Sequence, residues 1–100
     1  MAHLTSDEIL AKLQVEAPLL KETYHIAELG IFGSYVRGTQ KRSSDVDILV
    51  SFIHGHKDFF NYVRCKHFLE DLLNSKVDLV IKDALKPRLR GKILEEVEYV

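Results

Sequence analysis

The chain has 100 residues, 46% of them apolar and 29% charged, which is the length of one domain and an ordinary globular mixture. With 14 Lys and Arg against 15 Asp and Glu, the formal net charge is −1, so the basic field that steers a protein onto nucleic acid is absent and no direct nucleic-acid partner is expected. A single cysteine, Cys65, excludes an internal disulfide and a Cys-rich zinc site. Apolar runs such as Ile48-Leu49-Val50 stop far short of the ~18–20 residues that span a bilayer. Met1-Ala2-His3-Leu4-Thr5 has neither the basic nor the apolar region of a secretory signal. The expectation is one cytoplasmic α/β domain over residues 1–100, with no membrane association.

In chain order, Thr5-Ser6-Asp7-Glu8 reads as a capping box, with Leu4 and Ile9 placed as a hydrophobic staple. Ile9, Leu10, Leu13 and Ala17 continue at helical spacing. Pro18 is expected to end or kink this helix, or to open a second short one. The apolar segment from Ile26 to Phe32 reads as a buried strand, followed by a turn or short helix from Ser34 to Gly38 and a polar loop from Thr39 to Ser44. A second strand is expected over Asp45 to Phe52, then a turn at His54-Gly55-His56-Lys57. Asp58 is placed to cap a helix whose core-facing stripe is Phe59, Tyr62, Val63, Leu69, Leu72 and Leu73. Val77 to Ile81 reads as a third strand. Leu85, Leu89, Ile93, Leu94 and Val97 form the expected apolar face of a last helix, with Pro87 in its first turn. The order is α–β–α–β–α–β–α, which layer packing resolves into one sheet with helices on it.

The chemistry concentrates at three carboxylates and one turn. Asp45 and Asp47 are two residues apart, and in a strand such residues project to one face. Two adjacent anions repel unless a cation lies between them, and hard oxygen ligands suit Mg²⁺ or Mn²⁺. Asp78 is on the third predicted strand, and a neighbouring strand about 4.8 Å away can bring it to the same cluster. Gly33-Ser34 closes the first strand, where glycine admits close backbone approach and the start of a helix offers free N–H groups to phosphate. Metals on one side and an anion seat on the other are the layout expected for a nucleoside triphosphate bound through Mg²⁺.

Gly33-Ser34, ten residues, then Asp45 and Asp47 resembles the signature of the nucleotidyltransferase superfamily to which DNA polymerase β belongs. Within it, Gly33-Ser34-Tyr35-Val36-Arg37-Gly38, the segment from Ser44 to Val50, Val77-Asp78-Leu79-Val80, and the tail from Ala84 through Leu94 are similar to the minimal nucleotidyltransferases of prokaryotes. The resemblance implies a small polymerase β-like α/β (α+β) fold with one mixed sheet. It implies ATP as substrate, two Mg²⁺ ions, and transfer of a nucleoside monophosphate to an acceptor hydroxyl with release of diphosphate. Asp45 and Asp47 would bind both metals, and Asp78 the metal that activates the acceptor. Gly33, Ser34, Arg37 and Ser44 would bind the nucleotide. Members of this family are commonly antitoxins, partnered in a hetero-oligomer by a toxin of the HEPN ribonuclease family, which similar proteins silence by adenylylating a tyrosine. One departure is His25-Ile26, where relatives often carry Gly-Val.

Blander readings apply elsewhere. Lys86, Arg88, Arg90 and Lys92 spread over a solvated helix face, and His54 and His56 are too few for zinc. Cys65 reads as a small hydrophobe at the rim of its helix stripe, and the tyrosines as packing residues. Two other functions fit the same sequence: a non-catalytic antitoxin that occludes its partner, or a small-molecule nucleotidyltransferase subunit.

Overall fold

The computed structural model describes residues 4–55 and 58–100. His56 and Lys57 of the expected turn, and Met1 to His3, lie outside the described residues. The elements are α1 (Ser6–Thr23), β1 (Ile26–Phe32), α2 (Ser34–Arg37), β2 (Val46–Phe52), α3 (Phe59–Leu73), β3 (Val77–Ile81), a single 3₁₀ turn at Lys82–Ala84, α4 (Pro87–Glu96) and β4 (Glu98–Tyr99). They form a four-stranded mixed sheet in the order β3-β2-β1-β4, with β2 antiparallel to β1, parallel to β3, and β4 antiparallel to β1.

The period of two along each strand sorts the sheet into two faces. Leu29 and Ile31 of β1, Val46, Ile48 and Val50 of β2, and Val77 and Leu79 of β3 point into one core with Ile9, Leu13 and Leu20 of α1 and Cys65, Leu69 and Leu73 of α3. The alternate residues, including Phe32, Asp47 and Asp78, therefore face away from that core. Among them Phe32 pairs with Asp47 and Asp47 with Asp78, so the three form one row across the sheet.

The capping box of α1 is present in full: the Thr5 hydroxyl accepts the Glu8 N–H, and the Glu8 carboxylate accepts the Thr5 N–H, both at 3.2 Å. Pro18 neither ends nor divides the helix, which runs on to Thr23. Gln14 and Pro18 are exposed while Leu13 and Leu20 are fully buried. Water can serve the Gln14 carbonyl that loses its partner, while core contacts on both sides of Pro18 hold the two halves in line. His25 follows at φ 57°, the left-handed conformation for which a glycine would be the easier residue.

Three further expectations are corrected. The buried stripe of α3 is Asn61, Cys65, Leu69 and Leu73, at a strict spacing of four, while Phe59 is 73% exposed. Asn61 is the inward residue of the first turn because its amide donates to the Tyr24 carbonyl at 2.7 Å, satisfying a part-buried backbone group. Cys65 is at the centre of the stripe and not at its rim. No residue of α4 is buried; Leu85 precedes the helix and Val97 follows it. Finally, the chain does not end on a helix. Glu98 and Tyr99 add an edge strand to β1, and the Val100 N–H donates to the Leu29 carbonyl at 2.9 Å. Gly30 makes room for this strand: a side chain there would come within 2.8 Å of the Glu98 carbonyl oxygen.

Candidate active site

β1 ends at Phe32 and turns at Gly33 into the single helical turn of α2. Gly33 has φ 81°, and a Cβ on it would collide with Oδ2 of Asp47. Both facts require glycine, the first for conformation and the second for space. The turn is closed by the Arg37 N–H donating to the Gly33 carbonyl at 3.1 Å and the Thr39 N–H to the Ser34 carbonyl at 2.9 Å. The phosphate-binding turn expected from the sequence thus rests directly on a carboxylate of the neighbouring strand.

Asp47 is the electrostatic centre of the site. It is half-buried, and its carboxyl is pushed up to about 6, first by burial and then by the negative charges of Asp78 and Asp45; the positive charge of Arg37 opposes the rise. Asp47 and Asp78 are register partners on adjacent parallel strands, near enough for each carboxyl to feel the other's charge. Neighbouring carboxyls so placed favour a proton or a cation between them. Asp78 also raises the hydroxyl of Tyr62, after burial the second cause; that hydroxyl donates to the Leu79 carbonyl at 2.6 Å.

Asp45 stands differently from the expected strand residue. β2 begins at Val46, whose N–H donates to the Lys76 carbonyl at 2.9 Å. Asp45 therefore belongs to the preceding turn, where it lines a groove with Arg42, Ser43, Ser44, Ser75 and Lys76. It acts on Asp47 through space. Among the described residues no three His, Cys, Asp or Glu side chains form a ready-made metal cluster. The donor set nevertheless suits a hard divalent cation: oxygen ligands only, of one sign, with the middle carboxyl destabilised in its charged form.

The remaining candidates separate. The Ser44 hydroxyl accepts the Lys41 N–H at 2.8 Å and the Ser44 N–H donates to the Lys41 carbonyl at 3.0 Å, so Ser44 ties its own turn. Arg37 reaches the site, but its guanidinium is engaged by Glu96, at 3.0 and 3.1 Å to the two carboxylate oxygens. Glu96 also accepts the Gly33 N–H at 2.7 Å. This glutamate was not legible as a site residue, though one signal was available: Glu95 and Glu96 close α4, where the helix dipole disfavours anions. An apolar groove of about 440 Å³ between α3 and β3, lined by Phe59, Tyr62, Leu79 and Ile81, offers little to a triphosphate; the polar chemistry lies at the carboxylates.

Residues 17–100 match the nucleotidyltransferase domain family. The protein adenylyltransferase MntA of Thermococcus cleftensis is 43% identical over 100 residues, covering all of both chains. A candidate protein adenylyltransferase of Methanocaldococcus jannaschii is 42% identical over 97 residues, 96% of this chain and 98% of that one. Among solved structures, a candidate minimal nucleotidyltransferase superposes with a TM-score of 0.82 at 32% identity, covering 98% of each chain. A toxin–antitoxin complex solved with AMP-PNP gives 0.67 at 27% identity, covering 96% of this chain and 72% of that one. A polymerase β-like sheet, a glycine turn seated on a carboxylate, and these matches lead to one conclusion: the chain belongs to the nucleotidyltransferase domain family, among its minimal members.

Proposed function

We propose that residues 1–100 act as one Mg²⁺-dependent unit that transfers AMP from ATP to a hydroxyl, a tyrosine, on a HEPN-family toxin, serving in the cytoplasm as that toxin's antitoxin. The observation that carries this reading is the Asp47–Asp78 pair held in register beneath the Gly33 turn. Further support comes from the adenylyltransferase MntA at 43% identity and from the toxin–antitoxin complex with AMP-PNP, an ATP analogue.

In this reading Gly33 and Ser34 bind the triphosphate through the turn, and Arg37 adds positive charge. Asp45, Asp47 and Asp78 would hold two Mg²⁺ ions, for which Mn²⁺ can substitute. Bound there, such ions lower the acceptor's pKa and stabilise charge on the departing diphosphate. The acceptor oxygen bonds to the α-phosphorus, the bond from that phosphorus to the α–β bridging oxygen breaks, and Asp78 takes up the hydroxyl proton. The chain supplies no acceptor of its own in this scheme; the partner brings the tyrosine.

ATP labelled on the α-phosphate, incubated with Mg²⁺ and the purified toxin, tests it. Label is expected on the toxin, and Asp45→Asn or Asp47→Asn abolishes it. Label arriving only from the γ-phosphate would make the protein a kinase. Full neutralisation by a folded Asp45→Asn/Asp47→Asn double variant would make it an occluding module.

A further inference from the structure

Glu96 is the last residue of α4, and the two residues of β4 follow after Val97. An anion at a helix C-terminus faces unpaired carbonyls and the negative end of the dipole, so its placement there needs compensation from outside the helix. Glu96 receives it from two donors of the turn 59 or more residues away: the Gly33 N–H at 2.7 Å and Nη1 of Arg37 at 3.0 and 3.1 Å. The backbone that follows Glu96 is fixed as well. The Val97 N–H donates to the Ile93 carbonyl at 3.0 Å, and β4 is paired to β1 through Ile31 with Glu98 and Gly30 with Tyr99.

The two partners differ in exposure: 17% for the Glu96 side chain and 47% for Arg37. The anion is the inner member and the cation the outer one. Only Nη1 of Arg37 is engaged by Glu96, which leaves Nη2 and Nε of the guanidinium fork to other ligands. We propose that Glu96 is a positioning residue for nucleotide binding: held between α4 and β4, its carboxylate anchors the Gly33 turn and one nitrogen of Arg37, so that the rest of the guanidinium is presented to the phosphates. This rests on the nucleotide reading given above and adds a residue to it. The opposite role, a carboxylate occupying the phosphate seat as a competitor, predicts the reverse effect on affinity.

Calorimetric titration of the full chain with AMP-PNP and Mg²⁺ separates them. Glu96→Gln keeps an oxygen for the Gly33 N–H and loses the charge that holds Arg37. The variant is expected to bind AMP-PNP about tenfold more weakly, the scale of one charge-assisted contact. In the transfer assay the KM for ATP rises while kcat stays within about twofold. In an Arg37→Gln background the same substitution has little further effect, because the role passes through Arg37. Tighter or unchanged binding of Glu96→Gln overturns the proposal, as does a loss of equal size in the Arg37→Gln background, which would mark a merely structural effect. If Glu96→Gln does not fold by circular dichroism, Glu96→Asp is measured in its place; an intermediate loss supports the proposal and wild-type affinity overturns it. A wild-type chain that binds no AMP-PNP overturns the functional reading itself, whereas wild-type binding with an unaffected variant overturns only the role of Glu96.

Discussion

Asp47→Asn is expected to stabilise the metal-free protein while destroying its transfer activity. The folded chain pushes the Asp47 carboxyl from 3.8 to about 6, so the fold favours the neutral form. For a fully buried group that difference corresponds to about 3 kcal/mol against the ionised state. Asp47 is only half-buried, and solvent screening reduces the figure to roughly 1 kcal/mol. Below pH ~4 the carboxyl is neutral in both folded and unfolded chains and the cost is absent; it grows between pH ~4 and ~6, as the unfolded chain ionises first, and is fully present above. Asparagine has nearly the same shape and carries no charge. In EDTA at pH 7.5 the variant should therefore melt about 4–8 °C above the wild type, the shift expected for ~1 kcal/mol in a domain of this size. At pH 4 the two melting temperatures should converge. Scanning calorimetry at both pH values checks this. An equal or lower melting temperature for the variant at pH 7.5, or a gain of the same size at pH 4, would refute the electrostatic reasoning and leave the carboxyl pair as ordinary packing.

Other outcomes follow from the same geometry. Gly33→Ala should abolish label transfer and lower stability by about 1–3 kcal/mol, since the new methyl meets Asp47 and the backbone has φ 81°; thermal melts and the labelling assay read both. Thr5→Ala removes one half of the capping box of α1 and should cost about 1 kcal/mol in a denaturant titration, leaving activity per folded molecule unchanged. Cys65, fully buried with its thiol pushed up to about 12 by burial, should stay unreactive towards a thiol reagent at pH 8 until the chain is unfolded, when one equivalent reacts.

The parts of the fold that could be read from the sequence are those where local chemistry and periodicity agree. The cap at Thr5, the strand from Ile26 to Phe32 and the placement of Pro87 at the start of α4 are of this kind. The misreadings arise where tertiary contacts override local preference. Pro18 is tolerated because its helix is pinned by Leu13 and Leu20 on either side. Phe59 is the more apolar residue, yet Asn61 turns inward to meet a backbone carbonyl. The candidate site shows the same division. That Gly33, Asp47 and Asp78 would be neighbours was legible because strand alternation and a glycine turn are local signals, whereas Glu96 joins them only through a fold that brings residue 96 back beside residue 33. β4 had a faint trace in Gly30, a residue that makes little sense in a buried strand until another backbone lies against it.

The row formed by Phe32, Asp47 and Asp78 has a consequence for assembly as well as for chemistry. A shift of β3 by one position against β2 would swing Asp78 into the oily layer beneath α3 and turn Leu79 outward. Burying an unpaired carboxylate there is costly enough to reject the slipped pairing. Asp78 thus penalises that slip, and Asp78→Leu is expected to lift the penalty on mispaired sheets as well as to yield an inert protein.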